Sequence, residues 1–286
     1  MRTFVGACVH SGGVCELFFL KTYQVVTEAI SQDTGRVAPL LELLRLKDLY
    51  GCRLCLDESL SFGVIGATGR GLKEHCGVSD PDVVEITTMD LAPSFGSLGG
   101  LCVGTSEVID HQRLSGAGYC FSAAAPPFVS AAALASLNFL ETSPGRDRLA
   151  QLQKNATLLR SALRSRVAPA ADSLLALVGE EDGSADDLAP FAVLALARPT
   201  GDAELDLLAL SRVVDAVATA GFALALAKHD QSFYGDRKKA SALPPAREKQ
   251  PLSLKLATNA RHTQEQILLL VDAIANAAAV GGTTRE

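Results

Sequence analysis

Several features are missing from this 286-residue chain, and each absence removes a class of protein. No run of eighteen apolar residues occurs, so no helical membrane span is encoded, although 48% of the residues are hydrophobic and mean hydropathy is +0.21. Much of that hydropathy is alanine and leucine. The opening stretch MRTFVGACVHSGGVCELFFLKTY has its apolar run broken by His10, Ser11 and glycines, and only Arg2 precedes it. A secretory signal is therefore not expected. Basic charge is in deficit, with 26 Lys and Arg against 32 Asp and Glu and a net charge of −6. That balance argues against nucleic acid as a main partner. The cluster DRKK at 236–239 reads as a solvated loop. The glycine-rich stretch 61–78 lacks a closing Gly-Lys-Ser/Thr, so it is no Walker loop, and its spacing makes no dinucleotide fingerprint. There is no internal repeat. Seven cysteines are an odd number, and several lie in apolar runs, as expected of reduced, buried thiols. Cys52 and Cys55 have C-x-x-C spacing, but no second pair follows at zinc-site spacing. Within a strand the two would point to opposite faces, so a structural role is expected.

What is present begins with LKDLYGCRLCLDESL, residues 46–60. It reads as a helix end, a turn and a short buried strand. Asp57 stands where the strand stops, and open α/β sheets bind ligands beyond the carboxyl ends of their strands. Capping a local turn is the other reading of this aspartate. Residues 61–78 read as a structured loop followed by a helical turn, with Arg70 expected to pin the loop. The apolar run PDVVEITT then leads into MDLAPSFGSLGG, residues 89–100. Its three glycines and two serines would let the backbone approach a small anion. Yet the stretch holds no lysine, histidine or cysteine.

Residues 126–141 form a helix that is apolar or small nearly all round and is expected to be buried, with Pro127 in its first turn. PGRDRLAQLQKNATLLRSALRSR follows as an amphipathic helix, with Leu149, Leu152, Ala156, Leu159 and Leu163 at helical spacing. The remainder reads as a smaller α+β unit. DSLLALVGE, FAVLALA, FALALAKH and LSLKLATNA are strand candidates. Residues 202–220 form a helix, with Asp202 as N-cap and Gly221 as its stop. A long loop covers 230–251, and Thr263 with Gln266 can form a capping box on the last helix.

Together LDESLSFGVIGATGRGLKEHCGV, SFGSLGG, VIDHQRLSG and GYCFSAAAPP resemble the α-oxoamine synthases, pyridoxal-phosphate enzymes of fold type I. Within them the likeness is to the non-catalytic long-chain base subunit 1 of serine palmitoyltransferase, over about residues 24–279. The resemblance implies an α/β fold: the C-terminal part of an aminotransferase-like large domain over 24–141, then a linking helix and small α+β domain over 142–286. Residues 1–23 match nothing in it. A membrane helix and further strands upstream are also implied, so the chain reads as an N-terminally shortened member.

Active members of the family carry a lysine that forms an imine with the cofactor aldehyde. Aligned on SFGSLGG, that position is Pro93, which has no side-chain amine. Active members also read Asp-Glu-Ala-His, with the aspartate on the pyridine nitrogen and the histidine on the ring hydroxyl. Here the aspartate remains as Asp57, but the histidine position is Leu60, which cannot donate a hydrogen bond. The carboxylate-binding arginine of active members corresponds to Lys255, which keeps the charge without the bidentate fork. His111 and Arg113 are expected at an interface or in a structural role.

The resemblance further implies a heterodimer with the catalytic long-chain base subunit, which would hold the pyridoxal phosphate. Ser122 would face the phosphate of that partner-bound cofactor; capping the helix after it is the alternative. The implied setting is the cytosolic face of the endoplasmic reticulum membrane. Rival readings are a module that sequesters the catalytic subunit, and an active homodimeric synthase that uses another lysine.

Overall fold

A computed structural model describes residues 2–6, 22–122, 124–167, 173–179, 187–227 and 252–280. The chain divides into one unit of residues 1–32 and 36–153 and another of residues 33–35 and 154–286. In the first, five strands form a sheet in chain order: β1 (Arg2–Gly6), β2 (Thr22–Glu28), β3 (Arg53–Asp57), β4 (Ile86–Asp90) and β5 (Gly100–Gly104). The middle three are parallel, and β1 and β5 run antiparallel on the two edges. β1 and the start of β2 lie in the 1–23 segment for which the resemblance offered no counterpart.

The connection from β2 to β3 carries α1 (Leu40–Tyr50), which buries Leu40 and Leu43 and stops at Gly51 in the left-handed region, a common helix terminator. Near its end Lys47 pairs with Glu85 at 2.7 Å and donates to the Val83 carbonyl. Glu85 in turn accepts from the Leu54 amide at 2.8 Å. This relay sets the starts of β3 and β4 side by side. Leu54 and Leu56 are buried, so β3 is the short buried strand expected between Gly51 and Asp57.

Between β3 and β4 lie a tight loop, α2 (Leu72–His75) and a 3₁₀ turn at Pro81–Val83. After β4 come α3 (Ala92–Phe95), β5, α4 (Ser106–Ser115), α5 (Ala117–Cys120) and α6 (Pro127–Leu140). The helix expected over 126–141 is present, but its expected burial is not. Val129 is its one buried residue, while Phe128 and Leu134 are 70% and 57% exposed. α6 meets the rest of its unit along one side, where Ala133 packs on the cluster of Met89, Leu91 and Phe95. Among the described residues of this unit, nothing covers its other apolar side.

α7 (Ser143–Arg166) runs through the divide between the units. Leu149 is buried in the first; Ala156, Leu159 and Leu163 are buried in the second. The second unit's sheet has the order β6-β7-β9-β8, all antiparallel, from β6 (Leu175–Leu177), β7 (Phe191–Leu196), β8 (Ala225–Ala227) and β9 (Ser253–Ala257). α8 (Ala203–Thr219) and α9 (Gln264–Val280) complete it. Leu159, Leu163, Leu194, Leu210, Leu254 and Val271 are central to one core. Asp202 caps α8 by accepting from the Glu204 and Leu205 amides. Thr263 and Gln266 form the reciprocal box at the start of α9, at 3.0 and 3.2 Å. The long loop expected over 230–251 and the DRKK cluster lie outside the described residues. No helix among the described residues is long and apolar enough to cross a membrane.

Leu163→Ala should cost about 2–5 kcal/mol by leaving a cavity in the second unit's core. Leu205→Ala, at a side chain 54% exposed, should cost under about 0.5 kcal/mol. Urea unfolding followed by circular dichroism measures both.

Candidate functional site

The register of the parallel strands sets Glu28 beside Asp57 and Asp57 beside Thr88. These three residues therefore form a row at the carboxyl end of the sheet. A cleft of about 240 Å³ opens there, lined by Glu28, Gln32, Asp57, Leu60, Asp90 and Pro93 among others. An adjoining open depression reaches Thr88, Gly100 and Leu101.

Asp57 lines the cleft, and it also holds its own turn. One carboxylate oxygen accepts from the Ser59 amide at 2.9 Å, and the other accepts from the Thr88 hydroxyl at 2.9 Å. The Ser59 hydroxyl accepts from the Asp90 amide at 2.8 Å. Asp90 accepts from the Ala92 amide at 2.9 Å, which starts α3. Pro93 then occupies the first turn of that helix, a position where its missing N–H costs nothing.

The polar groups of MDLAPSFGSLGG do not form an anion cradle, and that expectation is corrected here. The Ser94 hydroxyl donates to the Phe62 carbonyl at 2.5 Å, and the Ser97 hydroxyl donates to the Val129 carbonyl at 2.9 Å. The Leu91 amide bonds the Gly99 carbonyl at 2.9 Å, and the Ser97 amide bonds the Leu91 carbonyl at 3.1 Å. Phe95 stacks on Phe62 with centroids 5.5 Å apart. The segment spends its donors on closing itself and fastening onto its neighbours.

Two glutamates that the sequence reading passed over organise the loop before it. Glu58 is 2% exposed. It accepts from the Ser61 hydroxyl and from the Leu72 amide at about 3.0 Å. Burial pushes its carboxyl above the ordinary value of 4.5, partly offset by the bonds from Ser61 and Leu72 and by the Lys73 charge. Glu74 accepts from the Thr68 amide and hydroxyl and from the Arg70 amide. Burial pushes this carboxyl up, but those bonds outweigh it and hold the value below 4.5. Each carboxylate sits where a glycine leaves room. A Cβ on Gly71 would strike Glu58, one on Gly66 would strike Glu74, and both glycines have positive φ. Glu74 pins the loop through the Thr68 groups and the Arg70 amide, and the charge of the exposed Arg70 guanidinium adds to that hold. The signal available in sequence was the pairing of an acid with a glycine thirteen and eight positions away, which no short motif displays.

The structure does not bring the remaining candidates into this cleft's lining. Ser122 is exposed just after α5, and its hydroxyl donates to the Gly118 carbonyl at 2.5 Å. It does not cap the following helix: the N-cap of α6 is Pro126, which has no side-chain bond to give. On α4, the His111 ring lies 3.2 Å from the Ser115 hydroxyl, and Arg113 pairs with Asp110 at 3.6 Å at the surface. Lys255 is on β9 of the second unit, between Val193 and Ala225. Cys52 is buried before β3 and Cys55 lies on it, with the Cys55 thiol pushed up by burial. No group of three metal-ligating side chains occurs among the described residues.

The cofactor implied by the resemblance does not fit this cleft as a covalent guest. At the position that the resemblance gives to the lysine stands the ring of Pro93, and at the one it gives to the ring-hydroxyl donor stands the half-buried Leu60. Glu28, Asp57 and Asp90 line the space, and carboxylates disfavour a phosphate ester nearby.

The family model for aminotransferase class I and II matches residues 14–189. Long chain base biosynthesis protein 1b of Oryza sativa subsp. japonica is 37% identical over 255 residues, covering 89% of this chain and 47% of the relative. Long chain base biosynthesis protein 1 of Arabidopsis thaliana is 33% identical over 244 residues, covering 85% and 45%. Serine palmitoyltransferase 1 of Dictyostelium discoideum is 46% identical over 120 residues, covering 42% and 25%. The chain thus spans about half or less of the length of the curated relatives it matches. Serine palmitoyltransferase from S. paucimobilis superposes with a TM-score of 0.70 at 24% identity, over 91% of this chain and 55% of that one. 8-Amino-7-oxononanoate synthase from Francisella tularensis gives 0.64 at 20% identity, over 91% and 64%. The fold is that of the fold type I pyridoxal-phosphate enzymes.

Gly71→Ala should cost about 1–3 kcal/mol, because alanine would be held at a φ of 83° against the buried carboxylate. A carboxyl raised in the folded state stabilises fully below its unfolded value and loses that contribution as pH rises through the folded value. The contribution of Glu58 to the unfolding free energy should therefore fall as pH rises from 4.5, so the difference between the unaltered chain and Glu58→Gln should change with pH in that sense. Urea titrations at a series of pH values read the difference.

Proposed function

The chain belongs to the class I and II aminotransferase family, and from that premise we propose that it is a non-catalytic subunit of serine palmitoyltransferase. It would support a catalytic long-chain base subunit as that partner condenses L-serine with palmitoyl-CoA to 3-ketosphinganine, in sphingolipid synthesis. The similarity to long chain base biosynthesis proteins over 85–89% of the chain supports the pathway. Pro93 is the observation that carries the non-catalytic role. It lines the cleft at the position that the resemblance gives to the reactive amine of active enzymes, and a tertiary ring nitrogen within the main chain cannot capture an aldehyde.

Pyridoxal phosphate, which supplies an electron-accepting ring for carbanion chemistry, is held by the partner in this reading. This chain's residues act around it. Ser122 presents an exposed hydroxyl that can turn from the Gly118 carbonyl to a phosphate oxygen of the partner's cofactor. Asp57 keeps the cleft's turn closed through Ser59 and Thr88. The exposed apolar side of α6 supplies surface for subunit contact. The complex would work at the cytosolic face of the endoplasmic reticulum membrane.

Co-expression with a catalytic long-chain base subunit tests the reading through serine-dependent release of CoA from palmitoyl-CoA. The complex should exceed the lone catalytic subunit, and the isolated chain should show none. Turnover by the isolated chain, or a pyridoxyl group fixed by borohydride on one of its lysines, would overturn it. Activity falling on co-expression would favour sequestration instead. Within an active complex, Ser122→Ala should weaken pyridoxal-phosphate affinity about three- to tenfold, read by cofactor titration.

A further inference from the structure

The turn between β9 and α9 lies inside the second unit, and a histidine closes its hydrogen-bond network. Residues 258–263 read Thr-Asn-Ala-Arg-His-Thr. The Asn259 side-chain oxygen accepts from the Arg261 amide at 2.8 Å and from the His262 amide at 3.2 Å. Asn155 of α7, 1% exposed, donates its side-chain amide to the Asn259 carbonyl at 2.8 Å and to the His262 carbonyl at 2.9 Å. The Thr258 amide donates at 2.7 Å to the carbonyl of Pro190, just before β7. One turn thus ties together α7, β7, β9 and α9.

The half-buried His262 ring has both nitrogens engaged. Nδ1 lies 3.2 Å from the Thr258 hydroxyl, and Nε2 lies 3.1 Å from the Asn259 side-chain nitrogen. A hydroxyl both donates and accepts, so Thr258 tolerates either state of Nδ1. Asn259 leaves no such freedom. Two backbone amides fix its oxygen, so the group facing the ring is its NH₂, which only donates. Nε2 is therefore the bare, accepting nitrogen, and the proton of the neutral ring sits on Nδ1. A second proton, on Nε2, would set one N–H against another. Turning the Asn259 amide over to meet it would take the oxygen away from the Arg261 and His262 amides.

No charge offsets that conflict. Among the described residues the ring's polar partners are Thr258 and Asn259, and neither titrates. The groups that α7 and β7 bring to the turn, the Asn155 amide and the Pro190 carbonyl, are uncharged. Lys154 of α7, Arg261 of the turn and Glu265 of α9 are exposed, and none of them pairs with the ring. From this geometry we infer that His262 is an acid-sensitive latch: as a neutral imidazole it locks the β9–α9 turn, and protonation releases it. The inference does not rest on the proposed enzymatic role.

Nitrogen NMR on the full chain labelled at histidine tests the ring, with the His262 signals identified by their loss in His262→Gln. At about pH 7.5, where an ordinary histidine is neutral, Nδ1 should carry the proton and Nε2 should be bare. Between about pH 7.5 and about pH 5.5, the span over which histidine gains charge, hydrogen-exchange protection of the Arg261 and His262 amides should fall. The loss should be about three- to tenfold after correction for intrinsic exchange rates, while the Leu254 and Val271 amides stay level. Asn259→Asp keeps an oxygen for the two amides and gives the ring an acceptor, so its protection should rise on acidification instead. If that variant fails to fold, the ring state and amide protection of the unaltered chain decide. A proton on Nε2 of the neutral ring, protection that does not respond to acid, or an Asn259→Asp turn that loosens as the unaltered one does would overturn the inference.

Discussion

A carboxylate buried at the end of a strand must be met by donors, and much of the first unit is arranged around that requirement at Glu58. Its oxygens take the Ser61 hydroxyl and the first amide of α2, while its own amide donates to the Thr88 carbonyl at 2.7 Å. One residue thereby ties β3 to β4 and closes the glycine-rich loop onto the strand end. Asp57, Ser59 and Leu60 flank it in the chain, so their positions in the cleft follow from that closure. Removing its charge while keeping its shape changes a buried interaction; placing a side chain at Gly71 obstructs it directly.

The same closure accounts for a ligand-shaped turn without a reactive group. In MDLAPSFGSLGG the serines satisfy carbonyls of Phe62 and Val129, and the aromatic ring of Phe95 rests on Phe62. The turn's serine hydroxyls and its aromatic ring serve to fasten it to its neighbours. In the role proposed for this chain, a cleft without a reactive amine leaves turnover to a partner.

Apolar surface is what the first unit has in excess. α6 carries apolar side chains around most of its circumference and buries Val129 alone. An apolar helix is expected to be covered, and among the described residues of this unit nothing covers that side of α6.

Much of the second unit was legible in the sequence because its signals are local. The Asp202 cap, the Thr263–Gln266 box and the spacing of Ala156, Leu159 and Leu163 each involve residues within a turn or two of one another. The cleft was legible only as chemistry: that residue 93 is a proline and residue 60 a leucine is independent of geometry, and it alone excludes an imine and a ring-hydroxyl donor at those positions. The tertiary structure decided where the donors go and which apolar faces are covered. Ser94 and Ser97 find their acceptors 32 positions away, and Gln153 reaches the Val64 carbonyl across 89. Hydrogen-bond partners and burial are properties of residues brought together by folding, and no local pattern in the chain encodes them.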